Sequence, residues 1–393
     1  MSDGTEISWS DSTWNPTLGC TRVSAGCDSC YAITSANIRA GNPHPKVAAA
    51  FAGLTERRDG RTDWTGRINL LADRLTQPLT WKKPRRIFVN SMSDLFADEV
   101  PDEFIHRVFA VMAATPQHTY QVLTKRHARM RSMLRDECRC TNGSHQPGVH
   151  FKSAIDWAAT PHSPGYVPGL PKGLYHQIQW PLPNVHIGVS VEDQKWADIR
   201  IPALRDTPAA VRWLSCEPLL GPVDLTQHLT PAEPYPALSG HAWDRGDLGW
   251  IVVGGESGRN ARPMHPEWAR QLRDQSVAAC VPFHFKQWGE WGPAPWAVRV
   301  DDVQFEYDGT GTYLQACKKA SEAQGATHAY AVWAHLYGHD LYEPPHKPWS
   351  LERTGLVETE HAPMRRWGKK VAGRELDGRT WDEFPRVAEA VSA

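Results

Sequence analysis

The sequence predicts an α/β fold: a partial or complete (β/α) barrel of parallel strands, carrying insertions and a C-terminal extension. Three observations carry that prediction. Six short apolar runs recur between residues 87 and 285, helical stretches separate most of them, and each run ends in polar or charged residues. Strands buried on both faces of a parallel sheet read as continuous apolar runs. Their alternation with helices is the pattern of βαβ units.

In chain order, a poorly defined strand precedes Cys20 and raises the strand count to seven. Tyr31 to Ile38 reads as the start of a helix, with Ala32, Ala36 and Ile38 at its small and apolar positions. Residues 40–66, broken by Pro43, Pro45 and several glycines, read as a loop-rich connection, and the apolar spacing of Arg67 to Leu75 fits helix or strand. Ile87-Phe88-Val89 then runs into Asn90-Ser91-Met92-Ser93-Asp94, and Asp102 to Ala114 follows with Phe104, Ile105, Val108, Phe109 and Met112 at helical spacing. Residues 119–123 end in Thr124-Lys125-Arg126, with a helix to Leu134. Residues 186–189 end in Ser190-Val191-Glu192-Asp193, with a helix over 194–205. Residues 211–214 end in Ser215-Cys216-Glu217-Pro218. Residues 250–253 end in Gly254-Gly255-Glu256-Ser257-Gly258, with a helix over 266–279. Residues 282–285 end in Lys286-Gln287-Trp288.

Two stretches interrupt this rhythm. Residues 136–183, rich in Pro, Gly and His, read as a surface insertion, and Cys138 and Cys140 with His145 and His150 are its candidate second metal site. Residues 228–249 form another loop-rich insertion. The barrel domain therefore spans 1–290, and 291–393 is an extension able to fold back over the barrel mouth.

Bulk properties narrow the class. The chain has 393 residues, 41% hydrophobic and 22% charged, with a net charge of -1. No run approaches the roughly 18 apolar residues of a membrane span, so no membrane partner is expected. The opening Met-Ser-Asp-Gly-Thr-Glu lacks the basic-then-apolar pattern of a secretory signal, and the chain reads as cytoplasmic. Near-neutral charge argues against a strongly basic nucleic-acid binder while leaving room for a local basic groove. Eight cysteines are too few for a disulfide scaffold, so clustered ones read as metal ligands. The 18 tryptophans, many beside Pro or Gly, pack irregular loops, with stacking on a nucleobase the sharper alternative.

In such barrels the active site lies at the C-terminal ends of the strands. The polar tips there are Asn90, Ser91, Asp94, Thr124, Lys125, Ser190, Glu192, Ser215, Glu217, Glu256, Ser257, Lys286 and Gln287. Taken singly, each is also an ordinary cap or turn residue. Six tips in succession carry the weight.

The densest chemistry is the loop Gly19 to Ala32, where Cys20, Cys27 and Cys30 fall within eleven residues. Gly19 and Gly26 let such a loop fold around one metal centre. A structural zinc or an ordinary iron–sulfur cluster takes four protein ligands. Three ligands leave one iron of a [4Fe-4S] cluster open to a substrate or cofactor. The alternative is zinc closed by a distant Cys or His.

A three-cysteine loop after a first strand, leading into (β/α) units, resembles the radical SAM superfamily over residues 14–32 in motif and about 1–290 in architecture. This chain has C-x6-C-x2-C where the superfamily usually has C-x3-C-x2-C. Its aromatic residue, Tyr31, follows the third cysteine instead of preceding it, and the ending Cys30-Tyr31-Ala32 is similar to spore photoproduct lyase-like members. Over nearly its full length the chain resembles a phage- and prophage-associated three-cysteine-motif family of unknown function. The stretches that carry this likeness include Trp14-Asn15-Pro16, Ser93-Asp94-Leu95-Phe96, Leu123-Thr124-Lys125-Arg126, Cys216-Glu217-Pro218-Leu219, Phe285-Lys286-Gln287-Trp288-Gly289 and Asp377-Gly378-Arg379-Thr380-Trp381.

The resemblance implies that Cys20, Cys27 and Cys30 ligate three irons of a [4Fe-4S] cluster and that S-adenosylmethionine chelates the fourth. At the barrel mouth, the residues expected to contact the cofactor are Tyr31, Ser91, Ser93, Asp94, Thr124, Lys125, Ser190, Glu192, Glu217, Gly254, Gly255, Glu256 and Lys286. A reductant such as a flavodoxin or ferredoxin supplies an electron, a 5′-deoxyadenosyl radical forms, and a nucleotide or nucleic acid is the leading substrate class. The rival is a non-enzymatic iron–sulfur or zinc module that binds a partner protein or nucleic acid, with Cys216, Cys280 or a His as fourth ligand. A metal-dependent hydrolase using Asp94, Glu192, Glu217 and Glu256 ranks last, because it leaves the cysteines unexplained.

Overall fold

The structure is a computed structural model that describes residues 4–136, 148–229, 247–293, 331–334, 362–366 and 368–385. Its centre is a seven-stranded parallel sheet: β1 (Ser12–Trp14), β2 (Arg86–Val89), β3 (Thr119–Thr124), β4 (Val185–Ser190), β5 (Val211–Cys216), β6 (Leu248–Gly254) and β7 (Phe283–Gln287). Spatial order equals chain order, and β1 and β7 do not pair with each other, so the barrel is partial. The expected strand before Cys20 is β1, registered against β2 through Ser12–Ile87 and Trp14–Val89.

Two cores form on opposite faces because strand side chains alternate. Ile87 and Val89, Ile187 and Val189, and Ile251 and Val253 point outward into a large core. There they meet Phe104, Ile105, Val108 and Met112 of the helix Asp102–Ala113, Ile201 and Leu204 of Gln194–Arg205, and Trp268 and Leu272 of Pro266–Ala278. Each fully buried side chain of this kind is worth about 1.5–3 kcal/mol. Local signals fix the helix starts. Asp102 and Glu103 occupy the first turn of their helix, where the dipole favours acids. Asp193 accepts from Trp196 N as an N-cap, and Pro266 opens the last of these helices behind His265.

The opposite face is concave and aromatic, lined by Trp9, Phe88, Trp213, Trp250 and Val252. In a flat sheet β2 and β5 would lie about 14 Å apart, three spacings of roughly 4.8 Å. Trp9 nevertheless lies 4.7 Å from Phe88 on β2 and 5.3 Å from Trp213 on β5, ring centroid to ring centroid. The sheet must therefore curl around it.

Several stretches differ from the sequence-based expectation. Residues 40–66 are not only loop: they hold a short helix, Pro45–Phe51, and a hairpin pairing Thr55–Arg58 with Arg61–Trp64. The hairpin turns on Asp59 (φ 49°) and Gly60 (φ 77°), the left-handed pair a two-residue turn needs. Asn69–Leu70 is a short strand against Thr17–Leu18. Within 136–183, the helix Val149–Ala159 buries Phe151, Ile155 and Ala158 in the outer core. Helical spacing of these apolar residues outweighs the Pro- and Gly-rich composition around them. Cys138, Cys140 and His145 lie outside the described residues, as do 230–246 of the second insertion.

The described tail runs antiparallel down β7. Phe285 N donates to Trp381 O (2.9 Å) and Glu383 N to Phe283 O (3.3 Å), and Phe384 meets Trp250, His284 and Arg86 at the N-terminal end of the barrel. Residues 381–384 thus cover a sheet edge and the barrel floor, while Gly368, Gly373 and Glu375 bond to Glu290 and Trp288 in the loop after β7, at the C-terminal end of the sheet. Residues 291–293, 362–366 and 331–334 form a small antiparallel sheet in that order. Among the described residues no helix is long and apolar enough to cross a membrane.

Candidate functional site

The cysteine loop leaves β1 through Thr17–Leu18 and Gly19. A Cβ on Gly19 (φ 96°) would lie 2.2 Å from Arg67 O, so only glycine makes this exit. The loop then makes a single turn, Ala25–Cys27, and Cys30 sits at the N-cap of the helix Tyr31–Ala40.

Two acid–base clusters clasp that turn to the ends of the strands. On one side Glu192, fully buried after β4, accepts from Ser24 Oγ at 2.6 Å, from Lys125 Nζ, and from Arg200 Nη1 at 2.8 Å. Burial raises the Glu192 carboxyl, but Lys125, Arg200 and Ser24 outweigh it and hold it below the ordinary carboxylate value. The turn rests directly on this group: a Cβ on Gly26 would come within 2.6 Å of Glu192 Cγ and Oε1. On the other side Arg262 donates to Ala25 O (2.8 Å) and to both oxygens of Glu256 (2.6 and 2.9 Å). Arg22 adds a third tie, to Asp63 (2.8 Å), Asp28 (3.1 Å) and Cys27 O (3.1 Å).

The three thiols share one electrostatic neighbourhood. Burial pushes the Cys20 thiol far up, and the charges of Asp94, Cys27 and Cys30 add to it. Burial also raises Cys30, with Cys27 adding and Lys125 opposing. Arg200 feels the charge of Cys27. Among the described residues no three His, Cys, Asp or Glu side chains converge closely enough to hold a single metal ion. The two other described cysteines lie elsewhere. Cys216 is fully buried among the outer-core residues, and exposed Cys280 lies before β7, at the opposite end of the sheet.

Most of the polar tips expected to touch a cofactor are already bonded to one another. Asp94 accepts from Thr124 Oγ1 (2.7 Å), Phe96 N (3.0 Å) and Lys125 N (2.9 Å). Ser91 pairs with Asn15 and Ser93 with Thr17, tying the loop after β2 to β1. Tyr31, half-exposed, donates from its hydroxyl to Ser91 O (2.7 Å). Glu217 takes Lys286 Nζ on both oxygens (2.6 and 2.7 Å), a couple at the rim. A Cβ on Gly254 would meet Glu217 at 3.3 Å, whereas one on Gly255 would lie 1.9 Å from Trp288 O. Gly255 therefore serves backbone-on-backbone packing of two loops. Ser190 keeps a free hydroxyl, as does Ser215 beside it among the described residues. Sequence reasoning did not single out Arg200 or Arg262. Arg262 had a faint cue, a cation six residues after Glu256; Arg200 had none, because a buried arginine inside a helix resembles a surface one.

A family model matches residues 4–385, nearly the whole chain. The chain belongs to the DUF5131 family. That family is described as a protein of unknown function. No curated protein and no solved structure matches it.

Proposed function

We propose that the protein is an iron–sulfur enzyme of the radical SAM kind, acting on a nucleotide or nucleic acid. One observation carries this reading: the three thiols of one loop, clasped by Glu192 and Arg262, lie at the C-terminal ends of a curled parallel sheet. Cys20, Cys27 and Cys30 would hold a [4Fe-4S] cluster whose open iron takes S-adenosylmethionine. Reduced by an external one-electron donor, that pair would cleave the sulfonium C–S bond, release methionine and supply a 5′-deoxyadenosyl radical able to take a hydrogen atom from substrate. The protein's own groups bind and orient. Lys125 and Arg200 offset the negative charge of the thiolates, and the Glu217–Lys286 couple at the rim offers donor and acceptor to polar groups of a ligand. The phage association of the resembling family and its photoproduct lyase-like motif support the nucleotide substrate.

The test is anaerobic reconstitution with iron and sulfide, then electron paramagnetic resonance of the reduced protein with and without S-adenosylmethionine. A [4Fe-4S] signal that shifts on adding S-adenosylmethionine is expected, and it must vanish in the Cys20/Cys27/Cys30 triple alanine variant. Tightly held zinc with no cluster would overturn the reading in favour of a binding module.

A further inference from the structure

Arg22, Arg86, Arg129 and Arg262 are each paired with a carboxylate. A second group of cations, beside the entry to the cysteine loop, is not. It surrounds an open groove of about 370 Å³, one wall of which runs from Arg67 through Asn69–Leu70 to Leu71. The other wall is Ala49 and Ala52, on the helix Pro45–Phe51 and at its end. Asn69 ties the walls together: its Nδ2 donates to Ala50 O (3.0 Å) and Ala52 O (3.1 Å), and its Oδ1 accepts from Arg67 Nε (3.0 Å). Arg39, in the last turn of Tyr31–Ala40, lies with its Cζ 5.7 Å from the centre of the Phe51 ring. Arg74 follows Leu71 by a single turn, and its carbonyl accepts from Trp14 Nε1 (2.8 Å). Lys46 stands three residues before Ala49 on one helix and so shares its face.

Arg39, Lys46 and Arg67 are exposed and Arg74 is half-buried. Among the described residues none of the four makes an ion pair. Burial lowers Arg74 from the ordinary guanidinium value, Asp73 opposes that, and the charge of Arg39 adds to the lowering. Like charges held together destabilise a fold, so the arrangement gains its value from an anion. Guanidinium forks match phosphate oxygens in geometry as well as charge. One phosphate would occupy only one or two of these groups, whereas cations on both walls suit a run of phosphates. A groove of this volume admits one strand and not a duplex. It also lies against the mouth: Leu71 N donates to Pro16 O (2.8 Å), and Gly19, the residue before Cys20, packs on Arg67 O.

We propose that the groove flanked by Arg39, Lys46, Arg67 and Arg74 binds the phosphodiester backbone of a single-stranded nucleic acid and leads it to the mouth of the half-barrel. This deepens the proposed function, naming a strand as the substrate rather than a free nucleotide, and rests on that reading for its catalytic meaning.

The experiment is fluorescence anisotropy of the full chain over a salt series, with a labelled oligothymidylate and a labelled strand of mixed sequence. The parent should bind both alike. Replacing all three arginines (Arg39→Gln, Arg67→Gln, Arg74→Gln) should weaken both at least tenfold. It should also reduce the slope of log affinity on log salt by about 2, since each phosphate contact on a single strand contributes about 0.7. Arg39→Lys keeps the charge and should keep most of the binding. A charge-matched control at exposed lysines outside the groove (Lys82→Gln, Lys83→Gln, Lys172→Gln) should bind like the parent. The triple variant should melt no lower than the parent, because it relieves repulsion; if it does not fold, Arg39→Gln and Arg67→Gln, each at an exposed residue, carry the comparison singly. The inference is overturned if the parent binds no strand, if the arginine variants match it in affinity and slope, or if the lysine control weakens binding as much. It is equally overturned if a duplex or a free nucleotide binds as tightly as the strand. Groove-dependent strand binding in a chain that builds no cluster would sink the radical reading alone. A cluster that responds to S-adenosylmethionine, beside strand binding indifferent to the groove, would sink this inference alone.

Discussion

Glu192 is the group whose removal tests the clasp most directly. It is fully buried and neutralises two cations, Lys125 at 18% side-chain exposure and Arg200 at 0%. In Glu192→Gln the side chain keeps its size and loses its charge. One end of the amide must then present N–H groups either to Arg200 or to the Lys125–Ser24 pair. Arg200 has no route to solvent, and its Nε and Nη2 are already without partners. Removing one member of a buried ion pair costs about 3–5 kcal/mol because the remaining charge stays buried. Set against a total stability of about 5–15 kcal/mol, that is a large fraction.

Urea unfolding of the full chain checks the figure: the midpoint should fall by that amount with the slope unchanged. The pairing with Arg200 is isolated by a double-mutant cycle with Arg200→Met. The coupling should reach the upper part of the roughly 0.5–3 kcal/mol range seen for contacting residues. The clasp has a second readout, since freeing Ser24 should speed alkylation of Cys27 and Cys30 in the native state. A loss below about 1 kcal/mol, or additive single mutants, would refute the assignment of Glu192 as the charge that holds the loop down. The pH dependence has a definite sign. The Glu192 carboxyl sits below its ordinary value in the fold, so its contribution is complete above that value and is lost as pH falls through and beneath it.

Three further outcomes follow from the same geometry. Gly26→Ala should cost about 1–3 kcal/mol as an overpacking change, because Glu192 is tied three ways and cannot yield; a thermal melt and thiol reactivity read it, and an unchanged variant would mean that the turn lies elsewhere. His186 and His284 are both lowered by burial to about 4. The unfolded chain therefore takes up protons first, and stability should decline as pH drops from about 6.5 towards 4, by up to about 1.4 kcal/mol per pH unit for each ring. Histidine NMR titration and a flatter pH profile in His186→Leu check this. Trp9→Ala should cost about 3–5 kcal/mol, since one indole joins β2 to β5 and β6 across the curl; retention of the parent stability would show that the sheet curls without it.

The sheet was legible because its signal is repeated. Each strand is a run of β-branched or aromatic residues that must be buried on both faces, and the helix after it shows its own periodicity, as in Phe104, Ile105, Val108 and Phe109. Short elements held by tertiary contacts gave no such signal. The hairpin Thr55–Trp64 carries three arginines and three acids over ten residues, and its tip is exposed. Only its two-residue turn and the buried Trp64 make it a hairpin. Composition also misled where it outvoted periodicity, since prolines and glycines around 149–159 masked a helix that buries Phe151 and Ile155. β1 has three residues, too few to show any period.

The site was legible as a place more than as a set of contacts. Strand ends collect polar residues both in ligand sites and in ordinary caps, and a sequence cannot tell which side chains will find each other. Asp94 and Glu192 look like ligand carboxylates until Thr124, Lys125, Ser24 and Arg200 are seen to use their oxygens. Glu256 is likewise spent on Arg262. A hydrolase would need one of these acids free to bind a metal or move a proton, and each is committed to holding a loop. Glu217 is bonded on both oxygens to Lys286 at the rim. The acids at this mouth therefore serve as clasps, each paired with a cation or a backbone donor that fixes a strand-end loop.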